Sequence, residues 1–325
     1  MVHTAPLTLG VLDLVPAFDG TDDAAALAQA VRLARAAESS GYRRYWAAEH
    51  HDMPGLACPA PEILLANVGA RTNSIRLGTG ALLLPHYQPL KVAETFHMLA
   101  SLYPGRIDLG LGRAPGGNAH VSMALSGNFL ERVRRLPDTL RDLAALFAGT
   151  YSYEGQPVRA RPTPPSPPEP WMLGTNVKSA AYAAQLGLGY AFGQFMSDTP
   201  GEEALRAYRE AFRPSAFLQE PRAIAAVGVV CAPTDEEARA LAARTAGFLN
   251  EGTESGGADE RKCIVGSPET VRRRLAELQA LYGADEWLVV TMIPDYDLRI
   301  RSYELLAEAA LGCASSETRR NEGSV

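Results

Sequence analysis

The sequence predicts an α/β chain closed into a (β/α)8 TIM barrel, and three observations carry that expectation. Eight short segments are almost wholly apolar, as parallel strands buried on both faces are. Most are followed by a stretch with apolar residues at helical spacing. The two kinds alternate along the whole chain, which is the pattern of parallel strands joined by crossover helices. A doubly wound open sheet, split near residues 151–170, is the rival arrangement.

The elements follow in order. Leu7–Leu14 is the first strand, ended by Pro16, and Asp22 caps a helix over about residues 23–40 that Gly41 stops. The second strand begins at Tyr45 and runs into Glu49, His50, His51 and Asp52. Pro61 opens a helix to Thr72, and Ile75–Leu84 is the third strand. A helix spans Pro89–Tyr103, and Ile107–Gly112 is the fourth strand. Residues 113–128 read as loop, and a helix covers about Glu131–Phe147, with Pro137 either kinking it or marking its start. Seven prolines between Pro157 and Pro170 mark a surface excursion. Trp171–Gly174, Tyr190–Phe195 and Ala223–Cys231 are strands five to seven, separated by helices at Lys178–Leu186 and from Glu202 to about Phe212. Thr234 caps a helix to about Leu249, Asn250–Lys262 is polar, and Ser267 caps a helix to Leu281. Trp287–Ile293 is the eighth strand, a helix covers Leu298–Ala310, and the polar tail 315–325 is expected to be disordered. One barrel domain over residues 1–314, with insertions after strands four and seven, is the organisation this implies.

Composition bounds the partners. The 325 residues are 46% hydrophobic and 21% charged, with a net charge of -6. No basic block offers a nucleic-acid or anionic-membrane surface. No apolar run is long enough for a membrane span, and no charged segment followed by an apolar run opens the chain. The four cysteines form no CxxC pair, which fits a reducing compartment and a cytoplasmic location.

A barrel places its site at the C-terminal ends of the strands. That rule selects Asp13, then Glu49, His50 and His51, then residues 80–84, Arg113, Thr175, Asn176, Gln194, Thr291 and Asp295. Thr175, Asn176 and Ser179 open a helix, a natural seat for a phosphate with Arg113 as countercharge, although ordinary capping also explains them. Gly110, Gly112 and Gly116 do not make a dinucleotide fingerprint, because Pro115 interrupts them and a loop follows. Adjacent histidines on a strand point to opposite sides, and no matching ligand set exists elsewhere, so no metal is expected. His86 sits near the rim, and His97 lies within a helix. Leu82, Leu84, Phe195 and Met292 are candidates to line an apolar pocket.

The stretches GYRRYWAAEHHDMPGLACPAPEILLANVGARTNSIRLGTGALLLPHYQPLKVAE and YPGRIDLGLGRAPG resemble the bacterial-luciferase-like family of flavin-dependent monooxygenases, collinearly over about residues 7–311. The resemblance implies reduced FMN, O2 as co-substrate, a peroxyflavin, a separate flavin reductase, a small organic substrate and a homodimer formed through helices near residues 61–72 and 89–103. It implies that His50 is the active-site base and that Gly80 and Ala81 flank a non-proline cis peptide facing the flavin. Arg113, Thr175, Asn176 and Ser179 fall on the flavin-phosphate positions, with Asp13, Glu49, His51, Gln194 and Thr291 around the substrate or behind the site. Luciferase itself carries a reactive cysteine where this chain has Gly112, which points to a general monooxygenase, and its glutamate at the position of Thr175 means that the phosphate contact there differs from luciferase's. A deazaflavin-dependent reductase or dehydrogenase and a non-catalytic FMN-binding protein are the alternatives. The polar segment Asn250–Lys262 falls on the family's mobile lid.

Overall fold

The computed structural model describes residues 7–249 and 261–312. The mobile-lid expectation for residues 250–260 and the disordered-tail expectation for 315–325 lie outside them. Eight parallel strands form the wall: β1 (Leu9–Asp13), β2 (Arg44–Ala47), β3 (Arg76–Thr79), β4 (Ile107–Gly112), β5 (Glu169–Gly174), β6 (Gly189–Gly193), β7 (Ala223–Cys231) and β8 (Glu286–Val290). They pair in sequence order, β1 pairs with β8, and the ring is closed, so no edge is left in the wall. The helices are α1 (Asp23–Ser39), α2 (Pro61–Gly69), α3 (Pro89–Leu102), α4 (Ala119–Ser126), α5 (Phe129–Arg134), α6 (Leu136–Ala148), α7 (Val177–Leu186), α8 (Glu202–Ala211), α9 (Asp235–Leu249), α10 (Pro268–Tyr282) and α11 (Tyr296–Leu311).

Strand alternation sorts the wall into two cores. Leu9, Val11, Tyr45, Ala47, Leu109, Val227 and Val289 face outward into the layer beneath the helices. Leu12, Trp46, Trp171, Ile224, Ala226, Leu288 and Val290 fill the barrel interior. Two large rings fit there because small residues face them. A Cβ on Gly78 would lie 2.4 Å from Trp46 Nε1, and one on Gly189 would lie 2.3 Å from Trp171 Cε3.

Beneath the tryptophans the N-terminal end of the barrel is floored by charge. Arg44 donates from Nε to Glu286 Oε1 and from Nη1 to Asp108 Oδ2, both at 2.7 Å. Its guanidinium lies 5.5 Å from the Trp46 ring and 5.1 Å from Trp171. Trp46 Nε1 donates to Asp108 Oδ2 at 2.9 Å, and Arg76 Nε to Asp108 Oδ1 at 3.0 Å. A cavity of about 550 Å³ lies outside this floor, lined by Arg43, Trp171, Arg222, Asp285 and Glu286.

Three expectations are corrected, and one strand is added. Residues 113–128 are not all loop: Asn118 caps α4 through Val121 N at 3.1 Å, and only Ser122 of that helix is buried, so no apolar periodicity betrays it. The helix placed at Glu131–Phe147 is two, α5 and α6, with Pro137 in the first turn of the second. The third strand is not continuous to Leu84: it stops at Thr79, and Leu82–Leu83 then pairs separately with β4. Cys263–Gly266 is a further strand, running parallel to the second half of the long β7. The insertions expected after the fourth and seventh strands are thus α4 to α6 with a small hairpin, and α9 with this strand. Among the described residues no helix is long and apolar enough to cross a membrane.

Arg44 provides a test of the floor. Arg44→Met leaves Asp108 and Glu286 buried with one fewer countercharge, which should cost about 3–5 kcal/mol of unfolding free energy. Urea denaturation of the two proteins measures it, and a loss below about 1 kcal/mol would show that the floor does not depend on this guanidinium.

Candidate active site

At the opposite, C-terminal mouth a cavity of about 450 Å³ reaches into the barrel. Its base is Leu12, Ala226 and Leu288, the top of the interior core. Its walls come from the segments after β2 (Ala48, Glu49, His50), β3 (Gly80, Ala81, Leu83), β4 (Arg113, Ala114, Gly116), β5 (Thr175, Asn176) and β6 (Phe195, Met196), with Ser179 of α7. Most of that lining is apolar, so the polar groups stand out by position.

His50 lies just past the end of β2. Its backbone N–H donates to Cys58 O at 2.9 Å, which fixes the chain direction there. Its Nδ1 is buried without a hydrogen-bond partner among the described residues. Burial, and secondarily the neighbouring His51, lower its pKa to about 4. The imidazole is therefore neutral near pH 7, with a ring nitrogen able to accept a proton.

Glu49 is buried behind it. Oε2 accepts from Leu83 N at 2.9 Å, while Oε1 accepts from Tyr87 Oη at 3.0 Å and pairs with His51 Nε2 at 2.8 Å. Burial raises its pKa, and these three partners oppose the rise. His51 N donates to Gly116 O at 2.7 Å, and His86 Nε2 pairs with Pro115 O at 2.9 Å. The segments after β2, β3 and β4 are in this way tied to one another.

The peptide between Gly80 and Ala81 is cis and lies in the cavity wall. Small residues are required around it: a Cβ on Gly80 would come within 2.4 Å of Leu12 Cδ1, and one on Gly112 within 2.8 Å of Ala81 Cβ. Gly116, at φ +67°, takes a conformation that favours glycine and has Leu83 Cδ1 2.2 Å from where a Cβ would be.

On the β4 and β5 side, Arg113 projects into the cavity near the N-terminus of α7. Asn176 caps that helix, its Oδ1 accepting from Lys178 N at 3.1 Å and Ser179 N at 3.2 Å. Ser179 Oγ donates to Asn176 O at 2.7 Å and meets Tyr190 Oη at 3.1 Å. A helix N-terminus, hydroxyls and one guanidinium suit a phosphate group.

The structure thus brings His50, Glu49, Gly80, Ala81, Arg113, Thr175, Asn176 and Ser179 to one cavity. Asp13, Gln194 and Thr291 do not line it. Asp13 and Thr291 have outward strand parity: Asp13 accepts from Tyr45 Oη at 2.7 Å and Arg299 Nη2 at 2.8 Å, and Thr291 Oγ1 donates to Val229 O at 2.7 Å. Gln194 begins a 3₁₀ turn and accepts from Tyr282 Oη and Gly201 N, below the wall. His51 stands behind Glu49. Of the expected apolar lining only Phe195 is present. Leu82 and Leu84 turn into the core under the helices, Met292 packs in the barrel interior, and Leu83 takes the wall position. Sequence reasoning placed Leu83 within the rim range 80–84 but named Leu82 and Leu84 as its lining, and it passed over Met196, which is exposed and lies in a 3₁₀ turn. Among the described residues no cluster of side chains is able to hold a metal ion.

Comparison with known proteins agrees with the barrel. The family model for luciferase-like monooxygenases matches residues 7–285. N-acetyl-S-alkylcysteine monooxygenase of Bacillus subtilis is 34% identical, over 94% of this chain and 98% of that protein. The crystal structure of apo-MsnO8 superposes with a TM-score of 0.84 at 38% identity, covering 93% of this chain and 98% of that one. The oxygenating constituent of 3,6-diketocamphane monooxygenase, solved with FMN, shares the fold at a TM-score of 0.73 and 20% identity, over 94% and 98% of the two chains. The chain belongs to the luciferase-like monooxygenase family.

Proposed function

We propose that this protein is a monooxygenase that takes reduced FMN from a separate reductase and uses O2 to oxygenate a small apolar organic molecule. The observation that carries the reading is the pairing, in one apolar cavity, of a neutral histidine with a phosphate seat. His50 lies after β2, and Arg113 with the α7 N-terminus lies after β4 and β5. The cavity fits a flavin mononucleotide on its own features. Arg113 and the α7 terminus suit its phosphate, Gly80, Gly112 and Gly116 keep the wall free of side chains, and the buried Nδ1 of His50 has no protein partner.

When bound in reduced form, the flavin supplies the electrons that activate oxygen. The chain's own residues do the rest. Leu12, Leu83, Leu173, Phe195 and Leu288 keep water from the reacting region. Arg113 and the α7 terminus hold one end of the cofactor and so orient the other. His50, neutral at the working pH, accepts or returns a proton at a ring nitrogen. Apart from Arg113 the lining carries no cation among the described residues, which favours an uncharged reacting group on the substrate. An alkyl thioether meets that requirement, and the name of the Bacillus relative supports placing S-alkyl compounds first in a substrate panel. A homodimer through α2 and α3 is part of the same proposal, supported by the exposed Ile63, Met98 and Leu102 on those helices.

The test is turnover of such a panel with a flavin reductase, NADH and air, read by mass spectrometry. Products heavier by one oxygen are expected, with label from ¹⁸O2. Flavin-dependent reduction without oxygen incorporation would overturn the reading. His50→Gln should bind FMN within about threefold of wild type yet lose about 10²-fold or more in turnover. Arg113→Ala should instead weaken FMN binding about tenfold to a hundredfold, as for loss of a charge-assisted contact. Unchanged turnover in the first variant would remove His50 from the proton step.

Stability against acid gives an independent check on His50. A histidine held near 4 in the folded chain, against an ordinary value near 6.5, stays neutral while the unfolded chain takes up its proton. Its stabilising effect is full above about pH 6.5 and is lost as pH falls toward 4. His50→Gln should therefore lose less stability than wild type between about pH 7 and pH 4, by on the order of 2 kcal/mol. Parallel loss in the two proteins, followed by urea unfolding across that range, would show that the ring is not held neutral.

A further inference from the structure

We propose that Glu49 is the positioning residue of this site: its carboxylate clamps the segments after β2 and β3 so that His50 and the Gly80–Ala81 wall keep their places. The proposal rests on the flavin reading for its catalytic consequence, but its structural half stands on the clamp alone.

The usual way to orient a catalytic histidine is a carboxylate on its own second nitrogen. This chain does not do that. Nδ1 of His50 is buried with no partner among the described residues, and no carboxylate hydrogen bond to its ring is seen. What fixes the ring is the backbone on either side of it. Before His50 stands Glu49, whose side chain is fully buried. After it stands His51, whose Nε2 is 2.8 Å from Glu49 Oε1. Residues 49 and 51 thus close a small loop over His50, while His50 N holds Cys58 O at 2.9 Å.

The same carboxylate reaches the neighbouring wall. Oε2 accepts from Leu83 N at 2.9 Å, two residues past Ala81. That bond sets where Leu83 stands in the cavity, and Leu83 Cδ1 in turn packs where a Cβ on Gly116 would be. Tyr87, after the 3₁₀ turn at Leu84–His86, supplies the third donor at 3.0 Å. Three donors on two oxygens satisfy a carboxylate that would otherwise be costly to bury. Leu83 belongs to a two-residue strand paired with β4 alone, and His51 and Tyr87 lie outside the strands, so few backbone bonds hold these segments. Glu49 therefore fixes what the barrel wall does not.

A carboxamide of the same shape is able to keep part of the arrangement. The oxygen of Glu49→Gln still accepts from Leu83 N, and its NH2 meets acceptors in a neutral His51 and in the Tyr87 hydroxyl. Glu49→Ala releases all three donors.

The experiment measures two things on the full-length protein and its variants. The first is amide hydrogen exchange at Leu83, which needs no flavin. The second is FMN affinity and the rate at which oxygen reoxidises the bound reduced FMN, without added substrate. In Glu49→Ala, Leu83 exchange should rise about tenfold or more and the reoxidation rate should change about tenfold or more. FMN affinity should stay within about threefold, because the phosphate end lies on the β4 and β5 side. Glu49→Gln should restore Leu83 protection and most of the wild-type rate. Tyr87→Phe, which removes one donor only, should give a smaller change in both and serves if Glu49→Ala fails to fold. Unchanged Leu83 exchange in Glu49→Ala, or equal losses in Glu49→Gln and Glu49→Ala, would overturn the proposal. If Glu49→Ala does not fold, wild-type Leu83 exchange in Tyr87→Phe would overturn it. Loss of Leu83 protection in Glu49→Ala, with a wild-type protein that binds no FMN at all, would fail the flavin reading and leave the clamp standing.

Discussion

An arginine that no water reaches holds the lower end of this barrel. Arg44 is fully buried, is shared between Asp108 and Glu286, and lies against the faces of Trp46 and Trp171. Such a group is weak as a source of stability, because desolvation offsets most of its attraction. It is strong as a constraint, since the carboxylates and the guanidinium are each costly to leave alone. With this end closed by charge and two large rings, the remaining free interior volume of the barrel lies above Leu12, Ala226 and Leu288, at the C-terminal mouth. The floor also fixes parity. Arg44 facing inward makes Trp46 face inward and Tyr45 and Ala47 face the helices, and a slip of one residue would exchange the two sets.

That parity explains why two carboxylates with similar sequence surroundings end in different places. Asp13 still belongs to β1, on the outward face, and is consumed by Tyr45 and Arg299 in the layer beneath α11. Glu49 comes two residues after β2 has ended, where alternation no longer dictates direction, and it turns to meet Leu83 and Tyr87. Position at the end of a strand selects both residues. Only the count along the strand separates them, and that count also removes Thr291.

Much of the wall was legible because a strand buried on both faces has little choice of residue. Ala223–Cys231 is a continuous apolar run and Ile107–Gly112 is apolar but for Asp108, both are bounded by breakers, and their ends fall where the sequence places them. The His50, Arg113 and Ser179 group came from the strand ends and from the family resemblance together. What escaped was structure with no periodic apolar face. Helix α4 buries only Ser122, and the four residues Cys263–Gly266 follow a polar stretch. The lining leucine escaped for another reason. The break after Thr79 ends the period of two, so Leu83 rather than Leu82 or Leu84 faces the cavity.

The cavity separates charge from neutrality around its rim. Arg113 and the α7 terminus concentrate positive potential on the β4 and β5 side, while the β2 and β3 side presents a histidine that burial keeps uncharged. The two demands conflict if a counterion stands close to the histidine ring, because a carboxylate there favours the imidazolium. Glu49 avoids that conflict by spending its oxygens on Leu83, Tyr87 and His51. The acid is close enough in sequence to fix the backbone of His50, yet it leaves the ring facing an apolar cavity. The desolvation that keeps water from the reacting region is then also what leaves the histidine free to accept a proton.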